Sequence, residues 1–175
     1  MLFRSSAVLL ASEKFAKNIT DTPVWIEGIG QKTTSASFTK NQKFTEMTST
    51  KEAARIAYEN ANIQPPDVNV AEIHDAFSVC EPIILEDLGF SEKGKGLQFS
   101  KKLFDTDDRT INPRGGLIGA GHPLSATGVA QTIEVVQQIQ NKAGRRQISN
   151  ATIGLVHKDR KSTRLNSSHQ IISYA

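Results

Sequence analysis

Four glycines within the seven residues Gly115–Gly121, closed by His122-Pro123, constrain this chain more than any other feature. Neither a helix nor a strand interior tolerates so many residues without a Cβ, so the run reads as a tight turn that joins two packed elements. An amphipathic helix follows from about Ala126 to Lys142, with Gly144 placed to close it. Upstream, Val70–Ile73 reads as a strand that runs into His74-Asp75. Asp75 suits the cap of a helix through Leu88 ending at Gly89, and Pro82 is expected to kink that helix or delay its start. A charged loop separates this helix from the glycine run, and Gln147–His157 supplies a last strand with Ala151, Ile153, Leu155 and Val156 as its apolar positions.

Nearer the start, Ser6–Ala11 is a short apolar run that reads as a buried strand, followed by a brief helix from an Ser12 cap through Lys17. A buried strand needs neighbours on both sides, and no element before it in this chain supplies them. Val24–Ile29 is a second strand, trailed by a polar loop to about Met47; a loop this long is functional or lies against a partner. Ser49-Thr50-Lys51-Glu52 has capping-box spacing, and Ala53, Ala54, Ala57, Tyr58 and Ala61 follow at helical intervals as a closely packing face. Strands alternating with helices define an α/β layered domain with a mixed sheet, and 175 residues at 38% hydrophobic content suit one such unit.

The formal charge of +3 hints at a polyanion partner until the charges are located. Four of the 21 basic residues and one of the 18 acidic ones lie from Lys158 onward, so residues 1–157 carry 17 of each. The body therefore offers no electrostatic case for nucleic acid, and a basic nucleic-acid-binding module rests on the tail alone. That tail, residues 158–175, is polar, Ser-rich and without periodicity, and reads as non-native or disordered; Lys161–His169 also resembles translated sequencing-adapter read-through. No apolar run approaches the roughly 20 residues of a membrane span, and Met1-Leu2-Phe3-Arg4 is too short to open a secretory signal. The expected location is cytoplasmic, away from membranes, and the single Cys80 fits a reducing compartment.

An imidazole just before a helix N-terminus has its cationic form disfavoured by the helix dipole, which suits His122 to act as a neutral base or donor. A phosphate-binding loop is the alternative, but the run lacks the Lys-Ser/Thr of a P-loop and any G-x-G-x-x-G pattern after a strand; a histidine that merely packs the loop is another. His74 and Asp75 stand where a strand ends, and His157 ends the last strand, so three histidines sit at element boundaries. Zinc would fit three histidines, yet separations of 48 and 35 residues match no metal spacing. Cys80 falls within the helix that follows Phe77 and reads as a small packed hydrophobe rather than a nucleophile, while Arg145-Arg146 most simply solvates a helix end.

Together His74-Asp75-Ala76-Phe77, the run Asn112 to Gly121-His122-Pro123, Thr127-Gly128 and the strand ending Gly154-Leu155-Val156-His157 resemble the C-terminal half of thiolases. The nearest pattern is the sterol carrier protein x type and the archaeal acetyl-CoA acetyltransferases, with His-Asp-x-Phe where other thiolases carry Asn-Glu-x-Phe. This resemblance implies βαβαβαββ halves stacked in layers, of which one is largely present. Residues 1–22 would end the N-terminal half, 23–157 would form an incomplete C-terminal domain, and 158–175 would lie outside it.

The implied reaction is Claisen condensation or thiolysis of short 3-ketoacyl-CoA such as acetoacetyl-CoA, with coenzyme A thioesters as substrates and neither cofactor nor metal. In that scheme His122 takes the proton of a nucleophilic thiol and donates to an oxyanion, His74 helps hold the water or oxygen at that oxyanion site, and His157 moves the α-proton. Asp75, Phe77, Gly121 and Pro123 would border the substrate. Implied partners are a second or further copies, as homodimer or homotetramer, and a complex with 3-hydroxy-3-methylglutaryl-CoA synthase, in which a non-catalytic scaffold subunit is the alternative role. Three departures stand out: the family's nucleophilic cysteine belongs to the other half, Lys158-Asp159-Arg160 replace an Asn-x-Gly-Gly stretch, and Ser125 replaces a glycine, where its side chain is expected to crowd the turn.

Overall fold

A computed structural model describes the backbone of residues 5–34, 44–160 and 166–173. Helix α1 (Glu13–Ile19) precedes β1 (Trp25–Lys32), α2 (Thr48–Ala61), β2 (Val70–Glu72), α3 (Cys80–Asp87) and α4 (Gly96–Asp105). Then come the short α5 (Gly116–Ala120), α6 (Thr127–Ile139), β3 (Ile153–Arg160) and β4 (Asn166–Ser173). The four strands form one mixed sheet in the order β1-β4-β3-β2. β2 runs parallel to β3, with Val70 beside Gly154 and Glu72 beside Val156, and β4 is antiparallel to both its neighbours.

The period-two alternation of a strand sends neighbours to opposite faces, and the core follows that rule. Ala71, Ile73 and Leu155 pack with Ala54, Ala57 and Tyr58 of α2 and Ile84 and Leu85 of α3 on one face. Val70 and Val156 pack with Val135 and Ile139 of α6 on the other. The alanine face of α2 lies close on β1 because Gly28 and Gly30 have no side chain there; a Cβ at Gly30 would strike the carbonyl oxygen of Ala53. Helices α2, α3 and α6 all end in a left-handed residue, Asn62, Gly89 and Asn141, each followed by a six-to-one hydrogen bond such as Lys142 N–H to the Gln137 carbonyl at 2.7 Å.

Several local expectations differ. Ser6–Ala11 is not a strand: Leu9 and Leu10 are exposed and no described strand flanks them. α2 starts at Thr48 with Met47 at its cap, which turns Thr50 into the core instead of using the Ser49–Glu52 box. The charged stretch before the glycine run contains α4, whose Leu103 is buried and whose Phe99 packs on the core. Asn141, not Gly144, ends α6, and β3 begins only at Ile153. Arg146 does not merely solvate a helix end, because its Nη2 meets the buried Glu134 at 2.8 Å. Finally, β3 continues to Arg160 and residues 166–173 lie between β1 and β3, in place of a tail apart from the core. Backbone pairing needs no side-chain periodicity, and two strand edges offer rows of N–H and C=O groups that a neighbouring segment satisfies. Much of the polar loop after β1, residues 35–43, lies outside the described residues.

Candidate active site

The end of β2 and the glycine turn meet face to face. Ile73 donates its N–H to Asn112 Oδ1 at 2.8 Å, Asn112 donates its own to the Ala71 carbonyl at 2.7 Å, and Leu117 donates to Asp75 Oδ1 at 2.6 Å. Asp75 thus caps α5 rather than the helix that follows it in sequence; Pro82 and a turn delay that helix to Cys80. The carboxylate fills the space beside Gly116, where any Cβ would collide with it and where φ is +62°. Burial pushes the Asp75 carboxyl up, and the backbone donors of Leu117 and Ile118 and the nearby Arg114 oppose that push.

This junction brings His74 and His122 together, edge to face, with ring centroids 4.9 Å apart. The proton positions follow from the partners. Thr127 Oγ1 donates its only hydrogen to the Pro123 carbonyl at 2.9 Å, so His122 Nδ1, 2.8 Å away, donates to it and leaves its lone pair on Nε2. Lys158 Nζ donates to His74 Nδ1 at 3.0 Å, which puts the His74 proton on Nε2. One ring therefore presents an acceptor and the other a donor. His122 is held below the ordinary imidazole range, chiefly by burial and then by Lys158, with Asp75 opposing.

Both rings line a cavity of about 1140 Å³ with Phe77, Trp25, Leu9 and Lys158 among its walls. Phe77 is 61% exposed and borders it, as does the exposed Ser125, whose side chain therefore does not crowd the turn. Gly121 (φ +89°) and Pro123 shape the turn instead: the Pro123 carbonyl collects the N–H groups of Ala126 and Thr127. His157 is not brought into the cavity. Its place in β3 puts it on the α2 face with Leu155, fully buried, with Nε2 3.4 Å from Thr50 Oγ1 and Nδ1 accepting the His74 backbone N–H at 3.4 Å. Lys158, one residue on, faces the cavity in its stead.

Sequence reasoning did not weigh Thr127 as the partner that fixes the His122 tautomer; its i+5 spacing across the turn and the start of α6 was the available signal. Buried Gln131, whose Nε2 donates to the Ile73 carbonyl at 3.0 Å, gave no signal beyond being polar on an apolar helix. Among the described residues no three His, Cys, Asp or Glu side chains gather as metal ligands, and no helix is long and apolar enough to cross a membrane. Cys80 is a free, buried thiol at the start of α3, packed in the core as expected.

A mixed sheet covered by helices, with a histidine from a strand end against one from a glycine turn, defines a thiolase-like half fold. The chain belongs to the thiolase C-terminal domain family: the profile described as "Thiolase C-terminal domain-like" matches residues 30–172. It is 40% identical over 155 residues to the acetyl-CoA acetyltransferase of Methanothermobacter thermautotrophicus, covering 87% of this chain and 40% of that protein. It is 38% identical over 164 residues to sterol carrier protein 2 of Oryctolagus cuniculus, covering 87% of this chain and 29% of that protein. The chain thus spans well under half the length of both relatives. A solved structure described as an "Ltp2-ChsH2(DUF35) aldolase" shares the fold at a TM-score of 0.79 and 19% identity, over 93% of this chain and 42% of that one.

Proposed function

We propose that these residues serve a thiolase that condenses or cleaves short 3-ketoacyl-CoA, with acetyl-CoA and acetoacetyl-CoA as the pair. The observation that carries this reading is the pairing of the two rings at one cavity, with His122 Nδ1 held by Thr127 Oγ1 and His74 Nδ1 held by Lys158 Nζ, from which the complementary tautomers are assigned. A thiol with a pKa near 8.5 needs an adjacent base, and Nε2 of a neutral His122 is an acceptor suited to take its proton. The thioester oxygen then gains charge that a donor must meet, and His74 Nε2–H supplies one. The described position of His157 supports a different role from α-proton transfer, namely holding the His74 backbone.

The thiol itself is not among these residues: Cys80 is buried in α3 and does not border the cavity. The active protein, in this reading, joins them to a portion that carries the cysteine, works as a homodimer or homotetramer, and the present chain alone does not turn over. A scaffold role in a larger acyl-CoA complex is the second reading. Thiolysis of acetoacetyl-CoA by a full-length protein carrying these residues tests the first: no turnover there would sink it, while steady turnover by the 175-residue chain alone would overturn only the placement of the thiol outside it. Retention of catalytic 3-hydroxy-3-methylglutaryl-CoA synthase by this chain would support the second.

A further inference from the structure

We propose that Glu72 is a positioning residue that clamps the glycine turn to the end of β2 and so sets His122 against His74. Glu72 Oε1 accepts the N–H of Arg114 at 3.2 Å, and Asp75 Oδ1 accepts that of Leu117 at 2.6 Å. Two carboxylates three residues apart on one segment therefore meet two backbone N–H groups three residues apart on the other. The turn they bracket, from Arg114 through Gly116, opens the helix whose end carries Gly121-His122.

Glu72 is fully buried and shares its face of the sheet with Val70 and Val156 against α6. An apolar side chain there would avoid the several kcal/mol that a buried carboxylate costs. Filling space does not require an oxygen; accepting a backbone N–H from the turn does. Arg114 on the turn attracts Glu72, Glu134 on α6 and Asp75 at the strand end repel it, and Arg146 feels its charge from beyond α6. Among the described residues Glu72 Oε2 and Arg114 Nε and Nη2 are buried without a hydrogen-bond partner, so the clamp is the backbone bond and not a side-chain ion pair.

The inference rests on the proposed role of His122 only for its catalytic consequence, because the clamp itself is read without any turnover. Amide hydrogen exchange by mass spectrometry on the dilute 175-residue chain compares peptides over residues 112–121 in Glu72→Gln and Glu72→Leu. Gln keeps an acceptor oxygen, so the turn should stay protected to within about twofold. Leu fills the space without an acceptor, so exchange there should rise roughly tenfold, the size expected for one orphaned N–H. Helix α4 should exchange as in the parent in both. If Leu unfolds the chain, seen as exchange in α4 as well, Glu72→Met gives a filler of similar length. A turn that stays protected with Leu or Met, or loosens equally with Gln, overturns the proposal.

Discussion

The imidazole of His74 meets that of His122 edge to face with ring planes 83° apart, while each ring's Nδ1 is held by a different partner, Lys158 Nζ for His74 and Thr127 Oγ1 for His122. The contact ties two segments 48 residues apart in sequence. Because burial and Lys158 lower the His122 pKa, the folded chain resists a proton that the unfolded chain accepts. Stability contributed at this position is present above the ordinary value of 6.5 and is lost as pH falls below it. A histidine titration by NMR should place His122 under 6.5, and Lys158→Met should raise it part of the way back, burial being the larger cause.

Thr127→Val should remove the acceptor that keeps the His122 proton on Nδ1, and Thr127→Ser should restore it. In a full-length thiolase carrying these residues, we expect Val to slow acyl-enzyme formation about tenfold or more, since the loss falls on a general base whose whole contribution is typically 10²–10⁴-fold. Equal rates for Val and Ser would remove Thr127 from the mechanism.

In the same full-length context His122→Ala should lower turnover at least about a hundredfold, the lower end for a lost general base. His74→Ala should spare acylation by acetyl-CoA more than condensation. His157→Ala should act differently from both, by lowering stability about 1–3 kcal/mol, because it strips a partner from a buried backbone N–H and leaves a void. Denaturant midpoints alongside acylation rates separate these three behaviours.

Gly30→Ala should destabilise the chain by about 1–3 kcal/mol, since the new methyl group meets the Ala53 carbonyl and α2 must shift off β1. A second substitution at Gly119, where a Cβ meets nothing within 4 Å, is the control and should cost far less. A thermal melt of the two variants checks the contrast.

Burial raises the Glu72 carboxyl from 4.5 to about 7. The stability tied to its protonated form is therefore complete below 4.5 and is lost as pH rises through about 7. Glu72→Gln removes that loss, so its stability relative to the parent should climb with pH across this interval, by about 3 kcal/mol at most, and level off above it. Parallel pH curves for the two proteins would show that Glu72 does not titrate there.

The parts of this architecture that were legible in the sequence are those set by periodicity and by residues with one conformational use. The alanine face of α2, the α6 helix and Gly89 after α3 follow from spacing and from the left-handed conformation a helix end requires. The conjunction of His74 with a glycine turn ending in His122 was legible from four ordered motifs. What stayed hidden was tertiary. Nothing local shows that Asp75 caps a helix some forty residues on, or that Arg146 reaches back to Glu134. The side of the sheet on which His157 falls depends on strand register, and a shift of one residue exchanges it with Lys158.

The parallel pairing of Val70 with Gly154 joins positions 84 residues apart, and α3, α4, α5 and α6 all lie in the chain between them. During synthesis β2 emerges long before the strand that completes it, so the edge that takes β3 waits unpaired while four helices are made. Closing a loop of that length comes late in folding, and contacts of large sequence separation slow it further. The two halves of the imidazole pair are made 48 residues apart, yet the Lys158 bond that fixes the His74 proton arrives only with β3. The hydrogen bonds around the two rings are thus completed only when that crossover docks, and a nascent chain halted before residue 153 holds both histidines in an unfinished setting.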